Sequence, residues 1–275
     1  MSTTCELVNT YEVLEHVMGI GGLHPHRLST IKDMRIKLVR HVCNNSLLTE
    51  GVILDVGCGS GVGTSELATQ LTNGQRVIGL DINSHALDSA RKMHDTSPNL
   101  SFYHGDINTF LRDNPGIRIA GIICVSVTMF IQGLESFYKD IYHALMDGGM
   151  FIDAPFMFRN SNKALASDFH SKTYNVCGCK MRMFKLSELK KIFNDTGFSN
   201  VECVEHDFDL MKLNVLFRDY SAKYLLGNFF RNVMSPPPHL GCITSRYLAG
   251  RTLKIFLFFL RNRDKYASGE FAAIK

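Results

Sequence analysis

The stretch "ILDVGCGSGVG", residues 53–63, decides the fold that this sequence predicts. It begins with an apolar run typical of a buried strand and continues into a glycine-rich turn. The segment after the turn, "VGTSELATQL" at residues 62–71, has the apolar spacing of a helix. Glycines let the backbone approach a ligand closely, and the N-terminus of the helix offers free N–H groups. The stretch therefore predicts a ligand-binding turn between a strand and a helix.

The spacing excludes two other kinds of ligand-binding turn. A dinucleotide-binding turn has the pattern G-x-G-x-x-G, whose third glycine would fall at Val62 or Thr64, counted from Gly57 or Gly59. A P-loop needs Gly-Lys followed by Ser or Thr, which is absent here. The turn therefore belongs to another class of binding site.

Apolar runs alternate with segments of helical period along the rest of the chain. Strands are predicted at residues 52–56, 76–81, 100–106, 117–127, 150–155, 200–208 and 268–275. A helix over residues 133–149 is expected to end at Gly148 and Gly149, and Ser84 is a candidate N-cap of another helix. Strands that are apolar on both faces and alternate with helices indicate an α/β fold with a parallel sheet covered on both sides.

The same pattern divides the chain into a core and helical additions. The core is expected at residues 30–209, with an insertion at 155–183, and residues 266–275 are expected to add its closing strand. Residues 1–29 and 210–265 are predicted to form a helical cap.

Composition limits the partners and the compartment. The chain has 275 residues, 20% of them charged, and a net charge of +4 without basic runs, so nucleic acid is not an expected partner. Eight scattered cysteines and an acidic N-terminal segment without a basic n-region predict a cytoplasmic protein. The longest apolar run, residues 255–260, is too short to cross a membrane. The expected partner is a small molecule, and the oligomeric state is not predicted.

Taken with further motifs, residues 53–61 resemble the first motif of the class I S-adenosylmethionine (SAM) dependent methyltransferases, in particular their small-molecule, UbiE-like branch. The resemblance covers about residues 30–209. "VIGLDIN" (77–83), "YHGDIN" (103–108) and "CVSV" (124–127) are similar to later motifs of the family. "ALMDGGMFI" resembles its L-x-P-G-G turn, although Asp147 stands where proline is commoner and Ala120 where an acid is common. The resemblance implies a Rossmann-like, seven-stranded, mostly parallel sheet with helices on both faces.

The resemblance also implies roles for single residues. The glycines of the first motif would pass under the methionine part of SAM, Asp81 would accept hydrogen bonds from both ribose hydroxyls, and Asp106 would accept one from the adenine amino group. Ser126 would lie near the methyl group. Each acid also has a plainer interpretation: Asp55 and Asp106 as turn acids, and Asp81 as a helix cap. The expected cofactor-binding residues are Tyr11, Asp55, Gly57, Cys58, Gly59, Asp81, Ile82, Asp106, Ile107 and Ser126.

A catalytic base is needed only if the acceptor must lose a proton, and histidine suits that task. The candidates are His24, His26, His170 and His206. His24 lies in "GIGGLHPHR" (19–27), and by resemblance the N-terminal segment folds over SAM, so His24 is the predicted catalytic residue. No metal is expected, because neither "HPH" nor "CGC" (177–179) has the spacing of a zinc site; arsenic-methylating relatives leave a thiolate role for Cys177 and Cys179 open.

The sequence therefore predicts a SAM-dependent methyltransferase of small-molecule or secondary metabolism. It would transfer a methyl group by in-line displacement to an O, N or C atom of a hydrophobic metabolite. Phe130 and residues 156–158 are candidates to line an apolar cavity beyond the strand ends. Two alternatives stay open. Basic residues around the apolar segment at 251–263 would suit a lipid or membrane-surface methyltransferase, and a SAM-binding core could be a regulatory module without catalysis.

Overall fold

A computed structural model describes residues 28–71, 74–94, 97–159, 165–169, 171, 181–207, 258 and 261–275. The helices are α1 (Leu28–Cys43), α2 (Val62–Gln70), α3 (Ser84–His94), α4 (Ile107–Asp113), α5 (Leu134–Ala144) and α6 (Leu186–Thr196). The strands are β1 (Val52–Val56), β2 (Val77–Asp81), β3 (Leu100–His104), β4 (Ile119–Val125), β5 (Leu145–Ala154), β6 (Phe156–Phe158), β7 (Ser199–Asp207) and β8 (Tyr266–Ile274). Short 3₁₀ turns lie at Ser46–Leu48, Thr128–Phe130 and Arg263–Lys265.

All eight strands form one sheet. Strands β3, β2, β1, β4 and β5 lie side by side and parallel, and β8 then pairs antiparallel with β5. β7 pairs antiparallel with the other edge of β8. Each parallel neighbour reached along the chain requires a crossover, which the helices supply.

Strands β5 and β6 are two parts of one line of pairing. Met150 pairs with Ile274, and Phe156 pairs with Ser268, so both segments keep the same register along β8. Pro155 separates them because proline has no N–H, yet its carbonyl still accepts a hydrogen bond from Gly269 N at 2.9 Å. The sheet thus has seven lines of strand, which confirms the predicted seven-stranded, mostly parallel fold.

Apolar residues alternate between the two faces of the sheet. Ile53 and Ile123 pack with the α1 side chains Met34 and Leu38 in one fully buried cluster. On the opposite face, strand residues such as Leu54 pack with residues of α4, α5 and α6 in a second cluster. Because successive side chains of a strand point to opposite faces, a strand covered on both sides reads as a continuous apolar run. This is why all residues of β1 and β4 are buried.

One predicted boundary is wrong. The helix expected over residues 133–149 ends at Ala144, and the chain continues as β5 from Leu145. Leu145 has extended backbone angles and pairs with Ile119 of β4. Gly148 N donates a hydrogen bond to Lys275 O, so the glycines lie within the sheet rather than at the helix end. Among the described residues, no helix has the length and apolar character needed to cross a membrane.

Candidate functional site

Most of the predicted site residues lie just beyond the carboxyl ends of neighbouring parallel strands. The glycine-rich turn follows β1, Asp81 ends β2, Asp106 follows β3 and Ser126 follows β4. Ligands of open α/β sheets bind at this edge, because the parallel strands all end there and the helices begin there. The fold therefore brings the predicted cofactor residues together.

Two glycines in the turn after β1 have different structural roles. Gly57 (φ +74°) and Gly59 (φ +55°) adopt left-handed backbone conformations that favour glycine. A Cβ atom on Gly57 would lie 2.3 Å from Val127 Cγ2, so this glycine is needed for packing against the segment after β4. A Cβ atom on Gly59 would meet no described atom within 4 Å. The backbone at Gly59 is therefore open to a ligand.

Asp81 links this turn to the loop after β2. Gly59 N donates to Asp81 Oδ2 and Asn83 N donates to Asp81 Oδ1, each at 2.8 Å. Burial raises the pKa of Asp81, and the backbone N–H groups of Asn83 and Gly59 oppose that shift. Each carboxylate oxygen keeps a further lone pair, so the pinned carboxylate can still accept two hydroxyl groups of a ligand.

The helix-capping interpretation of Asp81 fails, and so does the predicted Ser84 cap. Asn83 caps α3 instead: its Oδ1 accepts from His85 N at 3.0 Å and from Ala86 N at 3.1 Å. Asp81 therefore does not cap α3, and its carboxylate holds the glycine turn in place.

The three residues expected around an adenine ring differ in exposure. Asp106 is exposed, and its Oδ1 caps α4 by accepting from Thr109 N at 2.8 Å, so Oδ2 is free of that cap. Ile82 is 38% exposed at the same edge, whereas Ile107 is 2% exposed and packs in the core. The surface that Ile82 offers to a flat apolar group is therefore much larger than that of Ile107.

Ser126 combines an uncommon backbone conformation with a buried hydroxyl group. Its φ is +58°, and its N–H donates to Ala154 O at 3.0 Å, which fixes the end of β4 against β5. Among the described residues, Ser126 Oγ is buried and has no hydrogen-bond partner. A buried hydroxyl without a partner is costly, and strained residues cluster at binding sites, so this atom is suited to a ligand.

Asp55 lies beneath the turn rather than at its surface. It is 5% exposed, and Thr64 Oγ1 donates to its Oδ2 at 2.8 Å. Burial raises the pKa of Asp55, while the charge of Arg35 on α1 lowers it. Arg35 in turn pairs with Glu66 of α2 at 2.6 Å. The contacts of Asp55 thus stabilise the strand–turn–helix unit, and its predicted contact with a cofactor stays a prediction.

Cys58 is not a reactive thiol in this turn. Burial raises its pKa well above the ordinary range, and the charges of Asp55 and Asp81 raise it further. Tyr11 and His24, the other two predicted site residues, lie outside the described residues, as do Cys177 and Cys179. In the part of the chain that the structure describes, no three residues of the metal-binding types form a group that could hold a metal ion.

An aromatic and methionine cluster is formed by residues that follow β4 and β5, among them Met129, Phe156 and Phe158. We call it the acceptor-side cluster. The rings of Phe156 and Phe158 each stack on Tyr266, with centroids 5.3 and 5.5 Å apart. Its buried members are Met129, Phe156, Phe158, Leu165, Phe169, Phe258 and Tyr266, with Phe130, Ala166, Met181 and Met183 packed against them.

The glycine turn, Asp81 and Asp106 all lie in a region that matches a known kind of domain. A sequence profile described as "Methyltransferase domain" matches residues 53–149. Residues 53–149 are a methyltransferase domain. The match runs from β1 to β5 and so contains the Gly59–Asp81 link, Asp106 and Ser126.

Solved structures share the fold of this protein over nearly the whole chain. A SAM-dependent methyltransferase from Thiobacillus denitrificans, in complex with S-adenosyl-L-homocysteine, aligns with a TM-score of 0.65 at 17% identity and covers 96% of this chain and 97% of its own. The (4+2)-cyclase SpnF aligns with a TM-score of 0.68 at 14% identity over 100% of this chain and 95% of its own. These likenesses establish the class I methyltransferase fold.

One curated relative is similar over a shorter range. A sterol 24-C-methyltransferase of Aspergillus fumigatus is 31% identical over 109 residues, which is 38% of this chain and 28% of the relative. The matching region therefore spans little more than a quarter of that protein's length.

Sequence reasoning missed the residues that hold the predicted ones. Asn83, Thr64 and Arg35 support Asp81 and Asp55 through the contacts above, and a fully buried Asp153 lies one residue before the end of β5. An acid within the apolar run "MFIDAP" was a visible signal for Asp153, because charged residues are rarely fully buried without a partner. The other contacts join residues whose spacing follows no motif.

Proposed function

We propose that this protein transfers a methyl group from SAM to a small, apolar acceptor. SAM, when bound, supplies a methyl group that its sulfonium sulfur already activates. The protein's part is to align an acceptor atom with the bond that breaks and to exclude water. The observation that carries the proposal is the acceptor-side cluster, which follows β4 and β5 at the edge of the sheet where the predicted cofactor residues lie.

The cofactor half rests on the methyltransferase domain and on the edge geometry. The Thiobacillus relative was solved with the product form of SAM bound, and this chain has the same fold. The open backbone at Gly59 and the paired lone pairs of Asp81 fit a ligand with a flexible chain and a vicinal diol. Asp106 Oδ2, Ile82 and Ser126 Oγ are the remaining groups that would hold the cofactor. In that arrangement Asp81 binds the diol of the cofactor, Gly59 lets the cofactor approach the backbone closely, and Ser126 donates or accepts one hydrogen bond.

The proposal of an apolar acceptor rests on the apolar character of the acceptor-side cluster. Its buried members carry no charged side chain, so it would bind a hydrocarbon or aromatic surface by excluding water from it. The similarity to a sterol methyltransferase supports an apolar acceptor. A catalytic role for His24 stays part of the proposal and applies only to an acceptor that must lose a proton.

Transfer of a labelled methyl group tests both halves together. The protein is incubated with methyl-labelled SAM and an extract of the source cells, and the products are separated into organic and aqueous phases. We expect label in the organic phase with the wild-type protein and none with the Asp81→Ala variant. Label that enters only water-soluble products other than SAM would contradict the apolar acceptor.

The same assay separates the alternatives. Label that appears only when lipid vesicles are added indicates a membrane-surface acceptor. S-adenosylhomocysteine (SAH) binding with all of the label still in unreacted SAM would favour a regulatory SAM-binding module, and the fold shared with a cyclase shows why the transfer itself must be measured.

A further inference from the structure

A fully buried polar cluster lies directly beneath the end of β5. Asp153, Thr128 and Tyr138 are each 0% exposed. Thr128 Oγ1 donates to Asp153 Oδ1 at 2.7 Å, and the Tyr138 hydroxyl donates to Asp153 Oδ2. The carboxylate therefore joins three elements: β5, the turn after β4, and α5.

The surroundings of this carboxylate are apolar. The Tyr138 ring packs edge-on to Phe151, with centroids 5.5 Å apart, and lies 4.7 Å from the Phe193 ring of α6. On β8 the paired residue is Phe271, and on β4 it is Cys124. Among the described residues, Asp153 forms no salt bridge, so its charge is balanced only by donated hydrogen bonds. Burying such a charge is expensive, and a purely structural core would favour an apolar residue here.

What Asp153 fixes is the turn Thr128–Phe130, which faces both halves of the proposed site. On the cofactor side, Val127 packs so closely on the glycine turn that Gly57 has no room for a Cβ atom. On the acceptor side, Met129 is buried in the acceptor-side cluster, and its carbonyl accepts from Arg182 N at 2.8 Å. A shift of this turn would therefore move the two halves relative to each other.

We propose that Asp153 is a positioning residue for methyl transfer, which acts by holding the Thr128–Phe130 turn through the Thr128 hydroxyl. The inference rests on the proposed function, since in-line displacement is sensitive to small misplacements of the reacting atoms. Asp153 touches neither reactant. It keeps the cofactor side and the acceptor side of the turn at fixed positions relative to each other.

Protonation of Asp153 is expected to loosen the turn. An ionised carboxylate accepts from both hydroxyl groups, whereas a protonated one must donate through one oxygen, so one contact has to reverse. Burial raises the pKa of Asp153 to about 6, against the hydrogen bonds from Tyr138 and Thr128, which lower it. Burial also raises the pKa values of the facing Cys124 and Tyr138 well above their ordinary range. These two groups therefore stay neutral, and Asp153 is the facing group that titrates near pH 6.

Hydrogen exchange of the turn amides tests the contact without any acceptor. Phe130 N donates to Val127 O and Ile131 N donates to Thr128 O, so peptides covering residues 126–131 report on the turn. We expect Thr128→Val, which removes only the hydroxyl group, to lower their protection at pH 7.5 roughly tenfold, and Thr128→Ser to restore it. Helix α3 packs on β2 and β3, which lie on the other side of β1 from β4 and β5, and serves as the internal control.

The pH dependence supplies a readout that a merely structural role would not give. After correction for intrinsic exchange rates, protection of residues 126–131 in the wild type should fall between pH 7.5 and pH 5.5. It should be flat over this range in Asp153→Asn. If Asp153→Asn does not fold, the Thr128→Val and Thr128→Ser pair still decides the matter. Protection within twofold of wild type in Thr128→Val would overturn the proposal.

Transfer kinetics connect the turn to the reaction, with methyl-labelled SAM as the donor and the cell extract as the source of acceptor. We expect Thr128→Val to lower kcat about tenfold while the affinity for SAH, measured by calorimetry, stays within threefold. A loosened turn with unchanged kcat would overturn the positioning role. Failure of the proposed function looks different: the wild-type protein itself would then transfer no methyl group, whatever the exchange data show.

Discussion

The Asp81→Ala substitution tests the cofactor site at the point where the structure is most specific. In the folded protein the Asp81 carboxylate accepts from Gly59 N and Asn83 N at 2.8 Å and has one further lone pair on each oxygen for a diol. Removing it deletes two hydrogen bonds from ligand hydroxyls to a charged group, each contributing about 1.5–3 kcal/mol. It also frees the N–H of Gly59 from its anchor, so the glycine turn loses its fixed position.

The expected loss is about 3–6 kcal/mol of binding free energy, or roughly a 10²- to 10⁴-fold weaker affinity for SAH. Isothermal titration calorimetry measures it directly, with SAH as the ligand because it cannot be turned over. Asp88→Ala is the matched control: it makes the same change on α3, where the side chain is 61% exposed and forms an ion pair with Arg91. A folded Asp81→Ala protein with an affinity within threefold of wild type would refute the role of Asp81.

Three further predictions concern the turn, the buried hydroxyl group and the buried acid. Gly59→Ala should cost about 1–2 kcal/mol of unfolding free energy because of its left-handed backbone, and it should weaken SAH binding more than tenfold because its methyl group enters the open space. Gly74→Ala, at φ +73° and likewise without a described neighbour within 4 Å, should show the same stability loss in urea denaturation and unchanged binding; equal binding by both variants would contradict the assignment. Ser126→Ala should change the unfolding free energy by less than about 1 kcal/mol, since its hydroxyl has no partner among the described residues, but should weaken SAH binding about three- to tenfold; unchanged affinity would remove Ser126 from the cofactor site. The folded-state pKa of Asp153, about 6, lies above its ordinary value of 3.8 because burial outweighs the hydrogen bonds, so the folded state as a whole gains stability as pH falls even though the contact with Thr128 weakens. Relative to Asp153→Asn, the wild type should therefore gain about 2 kcal/mol of unfolding free energy between pH 7 and pH 4, and the contribution of Asp55 cancels in this comparison; a constant difference would show that Asp153 keeps its ordinary pKa.

Strand identity and the cofactor edge followed from the sequence because both depend on local pattern. β1 and β4 are apolar at nearly every position, which only a doubly covered strand permits. The glycines at 57 and 59 mark positive φ angles, and Asp81 and Asp106 each come at the end of a strand or just after it. Such features depend only on residues that are close together in the chain, so a single sequence is enough to predict them.

The misplaced features depend on contacts between distant segments. The end of the fifth helix was placed at the glycines 148 and 149, but pairing of Leu145 with Ile119 and of Gly148 with Lys275 draws these residues into the sheet. The Asp153–Thr128 contact joins residues that are 25 positions apart in the sequence, and no periodic pattern predicts it. Tertiary pairing of this kind outweighs local propensity and cannot be inferred from spacing.

The central claim is that one edge of the sheet binds SAM and passes its methyl group to an apolar molecule. Methyl-labelled SAM incubated with the protein and an extract of the source cells, followed by solvent extraction, measures this most directly. The account predicts label in the organic phase that disappears with Asp81→Ala and persists with Asp88→Ala. Label that stays with SAM, or that enters only water-soluble products, would contradict it.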